Sequence, residues 1–352
     1  MKKLHITYKP IILFIVLLFS MGANAQTDSV AQEKFNVKEF ILEHLADTYE
    51  WTLLSSEDWH VSIPLPVILY SKTSGVHLFL SYKLDRGNKN YKGFQIAAEG
   101  KYKGKIVEMG RDGSETRPLD LSLTKNAASL ILSSLVLIIT FLGISRVIKR
   151  EPMKGNKGFV GMMEMFIMMI HDDIIKPSVG ADYKRYAPFL LTVFFFIFFN
   201  NVLGLVPFFP GGANVTGNIA VTMVLAVGTF LAINLTGTKE YYKSIFWPDV
   251  PIFLKVPFPI MPVIEIVGLF TKPFALMIRL FANIMGGHAI VLGLVSIVFI
   301  TAGMGAAISS SMTAVSVFFS VFILFLELLV AFIQAFIFTL LSSVFIGMAR
   351  NA

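Results

Sequence analysis

From about residue 126 onward, long apolar runs alternate with short polar loops, a pattern that predicts membrane-spanning helices. Five runs are long enough to cross a bilayer, and they cover residues 127–144, 188–209, 217–236, 256–300 and 312–348. Because roughly 20 helical residues cross a hydrocarbon core of about 30 Å, the last two runs are far too long for upright helices. The fifth run has no turn signal between Val317 and Phe345, and a break there would leave loop backbone in lipid. We therefore expect two long, strongly tilted helices at the end of the chain; the alternative for the fourth run is a division into two spans.

A further apolar stretch, residues 159–175, is too short to cross without interruption because it carries Glu164, His171, Asp172 and Asp173. It is typical of a helix lying along the cytoplasmic interface. The predicted fold class is therefore an all-α polytopic membrane protein with about five membrane helices, one interfacial helix and a small extracytoplasmic N-terminal segment.

The first 25 residues combine a basic start, an apolar run at 11–19 and the sequence Ala-Asn-Ala before Gln26. This pattern predicts a secretory signal peptide that is cleaved after Ala25, and the alternative is an uncleaved anchor helix. We thus divide the chain into a signal peptide (1–25), an extracytoplasmic segment (26–125) and a membrane domain (126–352).

Within 26–125 the composition is that of an ordinary soluble segment. Residues 35–49 favour a helix. Two β-prone stretches, 60–70 and 76–84, are separated by a polar turn and predict a hairpin. The Lys- and Gly-rich residues 87–113 are typical of turns or an exposed ribbon, and no catalytic group of residues is recognisable in the segment.

Composition supports the membrane assignment, because 55% of the residues are hydrophobic and the mean hydropathy is +0.70. The net charge of +7 does not indicate a nucleic-acid partner, since five basic residues cluster after the first span, at positions 146, 149, 150, 154 and 157. The positive-inside rule places that loop in the cytoplasm, so the N-terminal segment before the first span lies outside. With five spans, the C-terminus then lies in the cytoplasm. The chain has no cysteine, no nucleotide-binding or hydrolase motif, and no recognisable metal or cofactor site.

The apolar residues 264–291 contain several groups that are expensive to place in lipid: Glu265, Lys272, Arg279, Asn283 and His288. An ionisable group at the bilayer centre costs roughly 3 kcal/mol by insertion scales, so such groups usually mark an ion path. Arginine cannot lose its charge to escape this cost. The only acid in the segment, Glu265, lies roughly 21 Å from Arg279 along a helix, so the counter-charge must come from another helix or another chain.

The spacing of these groups indicates two polar faces. Glu265, Lys272 and Arg279 follow one another at seven-residue intervals and form nearly one helical stripe. His288 is nine residues after Arg279, about 180° around the helix, which favours two separate aqueous pockets.

On the last helix, Glu327 and Gln334 are also seven residues apart. They are either functional groups or a hydrogen-bonded pair that holds the bundle together. The amides Asn200, Asn201 and Asn283 have the same two interpretations, and Lys272 is typical of a side chain that reaches toward an interface.

The run at 277–288, MIRLFANIMGGH, closely resembles the signature of subunit a in the membrane sector of the rotary F-type ATP synthase. The runs at 186–207, 212–221 and 328–345 resemble other spans of that family in the same order, so the resemblance covers about residue 129 to the C-terminus. The signal peptide and the long segment 26–125 exceed the short N-terminus of many members.

The resemblance implies a bacterial inner-membrane subunit that works with a ring of subunit c, with subunit b of the stator and with the remaining ATP synthase subunits, surrounded by lipid. By motif position it makes Arg279 the essential stator arginine and places Asn283, Gly287 and Gln334 beside the path. His288 and Glu327 match the half-channel open to the exterior, and Glu265 matches the half-channel open to the cytoplasm. Some members carry the acid in the fourth span and the histidine in the last, whereas here the order is reversed. Asn201, Asn214 and Lys272 are further candidates near the path.

The implied mechanism is proton transfer through two half-channels to and from carboxylates on the rotating ring, with Arg279 as a fixed charge between them. The alternative is a self-contained secondary ion transporter or channel, which would be expected to show an internal repeat with paired broken helices. A membrane enzyme with an exported domain is a third possibility. The sequence leaves open whether the ion is H⁺ or Na⁺.

Overall fold

The structure is a computed structural model that describes residues 36–55, 60–110, 114–150, 155–206, 211–247 and 260–351. The predicted signal peptide lies outside the described residues.

Among the described residues, the N-terminal part has helix α1 (Val37–Leu45) and eight short strands: β1 (Glu50–Ser55), β2 (His60–Pro64), β3 (Pro66–Ser71), β4 (Gly75–Leu80), β5 (Phe94–Ile96), β6 (Ile106–Met109), β7 (Glu115–Thr116) and β8 (Leu119–Asp120). They form three antiparallel sheets, with strand orders β1-β2, β4-β3-β8 and β5-β6-β7. We call residues 37–120 the β-rich domain. Its core is apolar and fully buried, at Val67, Leu69, Phe94 and Ile106.

The predicted hairpin is present, because β3 and β4 pair around a turn at 72–74. Its outer parts differ from the prediction: residues 60–64 pair with β1, and residues 81–87 form a 3₁₀ helix. Residues 87–113 are more than an exposed ribbon, since they supply two of the fully buried core side chains, Phe94 and Ile106. Their strands have only three and four residues and lie among Lys and Gly, which hides the periodicity of a strand.

The membrane part is helical, as predicted. Its helices are α2 (Lys125–Arg150), α3 (Gly158–Met168), α4 (Lys176–Val179), α5 (Tyr183–Leu205), α6 (Ile219–Thr236), α7 (Lys239–Phe246), α8 (Ile260–Thr301) and α9 (Ala306–Asn351). A π-helical turn, Met169–Ile175, joins α3 to α4. Gly180, with φ of +78°, breaks the path between α4 and α5. Within the described residues, five helical stretches are long and apolar enough to cross a membrane, and α3 to α5 together form one of them.

Helices α8 and α9 are continuous over 42 and 46 residues, so the fourth apolar run forms one helix. At 1.5 Å per residue they measure about 63 and about 69 Å. A hydrocarbon layer of about 30 Å can accommodate such lengths only if the helices are strongly inclined to the membrane normal.

The core of the membrane part lies where α5 meets α9 and α8. Leu190, Phe194 and Ile197 of α5 are fully buried there. On α9 the buried face repeats at helical spacing with mostly small residues, Ala331, Ala335, Phe338, Ser342 and Ile346, which lets the backbones approach closely. The opposite face of α9 exposes large apolar side chains, including Phe318, Phe325 and Leu329, as expected for contact with lipid or another membrane chain.

The C-terminal end of α9 is fastened to its neighbours, in an arrangement that we call the C-terminal clamp. The Arg350 guanidinium pairs with Asp182, with Nε 2.8 Å from the Oδ2 oxygen, and Nη1 donates to the Thr236 carbonyl at 2.9 Å. The Thr238 amide donates to the Ala349 carbonyl at 3.0 Å. The clamp therefore ties α9 to α6, to the start of α7 and to the turn before α5.

Candidate functional site

Arg279 and Asn283 lie one turn apart on α8 with exposed side chains. The neighbouring Leu276 and Leu280 are buried, so α8 packs through its other side and presents the guanidinium outward. Arg279 has no ion pair or hydrogen bond with the residues that the structure describes. Because this charge cannot be neutralised, its place in an apolar helix requires a counter-charge that the described part of the chain does not supply.

His288 and Glu327 meet across α8 and α9, with His288 Nδ1 3.7 Å from Glu327 Oε1. Their side chains are 18% and 12% exposed. Both Glu327 carboxylate oxygens are buried without a hydrogen-bond partner in the described residues. A buried carboxylate in this state is costly, and it is stabilised either by taking up a proton or by a charged imidazolium beside it. The pair is therefore suited to passing a proton between its two members.

Two glycines make room for this pair. A Cβ atom on Gly287 would lie 2.2 Å from Glu327 Oε1, so the carboxylate occupies the space of the missing side chain. A Cβ atom on Gly204, near the end of α5, would lie 3.7 Å from His288 Nε2 and also 3.7 Å from the Ala213 carbonyl oxygen. The His288 ring is thus close to α5 and to residues 211–218, which we call the 211–218 loop.

Hydrogen bonds fix this loop onto the helices. Thr216 Oγ1 donates to Asn201 Oδ1 at 2.6 Å, and Asn201 Nδ2 donates to the Ala331 carbonyl of α9 at 3.4 Å. Asn214 accepts from the Gly217 amide at 2.8 Å and donates to Met285 Sδ of α8 at 3.6 Å. Asn201 and Asn214 therefore hold the surroundings of the pair in place.

The Glu265 end of α8 carries a second polar region. Lys272 Nζ lies 5.3 Å from the centre of the Phe345 ring and borders a small cleft. Asn234 and Tyr241 also line this cleft. Burial raises the pKa of the Tyr241 phenol, and the nearby Tyr242 and the Glu265 carboxylate raise it further. Glu265, Lys272 and Tyr241 thus form a polar region separate from the His288 pair.

Gln334 lies on the buried face of α9, among Ala331, Ala335 and Phe338. This burial agrees with a packing role as well as with a place beside a path. Four residues that now belong to the site were not singled out from the sequence: Gly204, Thr216, Asn234 and Tyr241. The runs at 186–207 and 212–221, which resemble the family, include Gly204 and Thr216, whereas Asn234 and Tyr241 depend on contacts between residues far apart in sequence.

Comparison with known protein families gives two matches in succession. Residues 40–126 match a domain of unknown function (DUF8433), and residues 129–347 match the family described as ATP synthase A chain.

Individual relatives agree with the second match, and each of the three named here is an ATP synthase subunit a. The protein from Chlorobium phaeobacteroides is 43% identical over 65% of this chain and 66% of its own length. That from Chloroherpeton thalassium is 39% identical over 67% of this chain and 68% of its own. That from Myxococcus xanthus is 40% identical over 66% of this chain and 74% of its own. The aligned regions thus span about two thirds to three quarters of these relatives.

Proposed function

We propose that Arg279 separates the two proton half-channels of this chain. The chain belongs to the ATP synthase A chain family and is a non-catalytic, proton-translocating subunit of that enzyme's membrane sector. The observation that carries the proposal is the outward-facing guanidinium without a partner in the described chain. A rotating neighbour that presents carboxylates in turn would supply the missing counter-charge.

The exterior half-channel is assigned to His288 and Glu327. A proton from outside reaches this buried pair and passes to a carboxylate on the neighbouring ring, which is then neutral and can move into lipid. Each charge that crosses the full membrane potential contributes about 2.3 kcal/mol per 100 mV. Gly287 contributes by leaving space for the Glu327 carboxylate.

The half-channel to the cytoplasm is assigned to the region of Glu265, Lys272 and the cleft beside Tyr241. Arg279 favours the charged form of an arriving, protonated carboxyl group of the ring, which therefore releases its proton toward this region and becomes a carboxylate. Because Arg279 stays charged, it also opposes the direct passage of protons between the half-channels. Asn283 and Gln334 are assigned to the borders of this path.

The partners under this proposal are a ring of subunit c against the exposed face of α8, subunit b of the stator, and the remaining ATP synthase subunits. The location is a bacterial inner membrane, with the β-rich domain outside and the C-terminus in the cytoplasm. Membership in the A chain family decides against the alternative of a self-contained secondary transporter, which would also need its own counter-charge for Arg279.

The test is Arg279→Lys, measured in inverted vesicles as ATP synthesis and ATP-driven proton pumping. Lysine keeps a charge but lacks the planar fork of donors and can lose its proton when desolvated. We expect an assembled complex with no coupled synthesis, and we expect Arg279→Ala to leak protons passively. The matched control is Arg146→Lys, at an exposed arginine of α2, which should behave as wild type. Near-normal synthesis by an assembled Arg279→Lys complex would refute the role of Arg279.

A further inference from the structure

The β-rich domain contacts the membrane part through Trp51, on strand β1. The indole is 4% exposed, and its Nε1 donates to the Gly211 carbonyl at 3.2 Å. The ring packs with the buried Ala213 and Val215 of the 211–218 loop. Partly buried neighbours complete this cluster: Ile63, Ala128, Leu130, Leu132 and Val221. The antiparallel pair β1–β2 therefore rests on the loop and on the first turns of α2 and α6.

The acceptor of the indole hydrogen bond is itself held against α5. A Cβ atom on Gly211 would lie 2.3 Å from the Val206 carbonyl and 2.6 Å from the Leu203 carbonyl. No side chain fits there, so the backbone of Gly211 lies directly on the end of α5.

The opposite side of the same loop faces the His288 pocket. The Ala213 carbonyl and His288 Nε2 both lie 3.7 Å from the point where a Gly204 side chain would begin. Asn214 and Thr216 bind α8 and α5 through the hydrogen bonds described above. Ala213 of the 211–218 loop is therefore near both Trp51 of the β-rich domain and His288 of the His288–Glu327 pair.

We propose that Trp51 is a positioning residue for the exterior half-channel and that the β-rich domain covers the loop that shapes proton entry to His288. A loop without such a cover is expected to be mobile, which would alter both water access and the orientation of the imidazole. This inference rests on the proposed function of the His288–Glu327 pair.

The first experiment measures ATP synthesis by the reconstituted holoenzyme while the pH on the exterior side is varied. Trp51→Ala should lower the rate about fivefold or more and displace the exterior-pH profile, because the proton donor site is misplaced. Trp51→Phe keeps an aromatic ring but lacks the indole N–H that donates to the Gly211 carbonyl, so it should lower the rate about twofold. The matched control is Tyr82→Ala, an exposed aromatic residue of the same domain, which should leave rate and profile unchanged.

The second experiment uses the absence of cysteine from this chain. Val215→Cys places one thiol at a buried position of the loop, and a membrane-impermeant maleimide in intact cells or right-side-out vesicles reports its access. We expect slow labelling beside the native Trp51 and labelling at least tenfold faster when Trp51→Ala is added, because the cover is lost. Equal labelling in both backgrounds would overturn the proposal.

Arg279→Ala in the same preparations separates this proposal from the one it rests on. If Arg279→Ala leaks protons while the Trp51 variants retain the wild-type rate and pH profile, the role of Trp51 is refuted and the half-channels stand. If Arg279→Ala remains coupled, the proposed half-channels are refuted, and the Trp51 proposal that rests on them is refuted as well. If Trp51→Ala does not assemble, Trp51→Phe decides by its rate and pH profile.

Discussion

The contact between Gly287 and Glu327 gives the sharpest test of the proton-transfer pair. In Gly287→Ala the new methyl group would begin 2.2 Å from Glu327 Oε1, whereas comfortable contact needs about 3.5 Å. The carboxylate must therefore move by about 1 Å or more. Because the carboxylate is the end of a flexible side chain, its movement costs little stability. Replacing a helical glycine by alanine also raises the stability of the folded protein by about 1 kcal/mol.

The effect on proton transfer should be larger than the effect on stability. Two opposite charges about 4 Å apart interact by about 4 kcal/mol at an effective dielectric constant of 20, and this falls by about 1 kcal/mol when the separation grows by about 1 Å. A change of about 1 kcal/mol corresponds to a factor of about five in an equilibrium or rate constant. Misplacement of the reacting groups lowers the rate further. We expect ATP-driven proton pumping to fall at least about fivefold on these grounds.

The assay is the initial rate of pumping in inverted vesicles, normalised to the amount of assembled complex on a native gel. The matched control is Gly143→Ala in α2, where an added Cβ meets nothing within 4 Å in this chain and the gain in helix propensity is the same. If assembled Gly287→Ala pumps as fast as Gly143→Ala, the carboxylate position does not matter and the pair is only structural.

Three further predictions follow from the same structure. His288→Ala and Glu327→Ala should each slow proton pumping, and exchanging the two residues should restore more activity than either single change retains; intact pumping in both single variants would contradict a shared role. Hydrogen bonds from Ser71, then Thr73 and Ser74, lower the pKa of the Glu108 carboxyl, so its contribution to the stability of the β-rich domain should be present at neutral pH and lost as the pH falls through that lowered pKa. Hydrogen exchange at the β3–β4 turn should show this acid-dependent loss in the native protein and a flatter dependence in Glu108→Gln. A reporter fused after Arg350 should register in the cytoplasm, and a signal only from outside would refute the five-span topology.

The membrane helices were predictable because their signal is local. A run of apolar residues longer than a bilayer is wide admits few structures, and the absence of a turn in the last run excluded a break. The lack of a counter-charge for Arg279 on its own helix was predictable for the same reason, since the only acid of that segment, Glu265, is far away along the helix. The role of Arg279 stays a prediction. His288 and Glu327, which the resemblance assigns to the same half-channel, lie 3.7 Å apart in the structure, and their role is a proposal.

The remaining features depend on contacts that no local pattern encodes. Trp51 and Gly211 are 160 residues apart, and nothing around either residue marks it as half of a contact. The strands at Phe94 and Ile106 are too short to show an alternation of apolar and polar residues. The burial of these two side chains is therefore visible only in the folded sheet. Gly204 looks like any glycine near a helix end until the His288 ring is placed beside it.

The C-terminal clamp has a mechanical consequence. Under the proposed function α9 lies beside a turning ring, which would place a sideways load on the helix, and a free end would bend under that load. Arg350 binds Asp182 and the Thr236 carbonyl, and the adjoining Ala349 carbonyl accepts from the Thr238 amide. The load is therefore shared among the turn before α5, the end of α6 and the start of α7. A helix of about 69 Å that is fastened at that end bends less under a sideways load than a helix with a free end. Loosening the C-terminal clamp should therefore reduce the efficiency of coupling most when the enzyme works against a large opposing proton gradient.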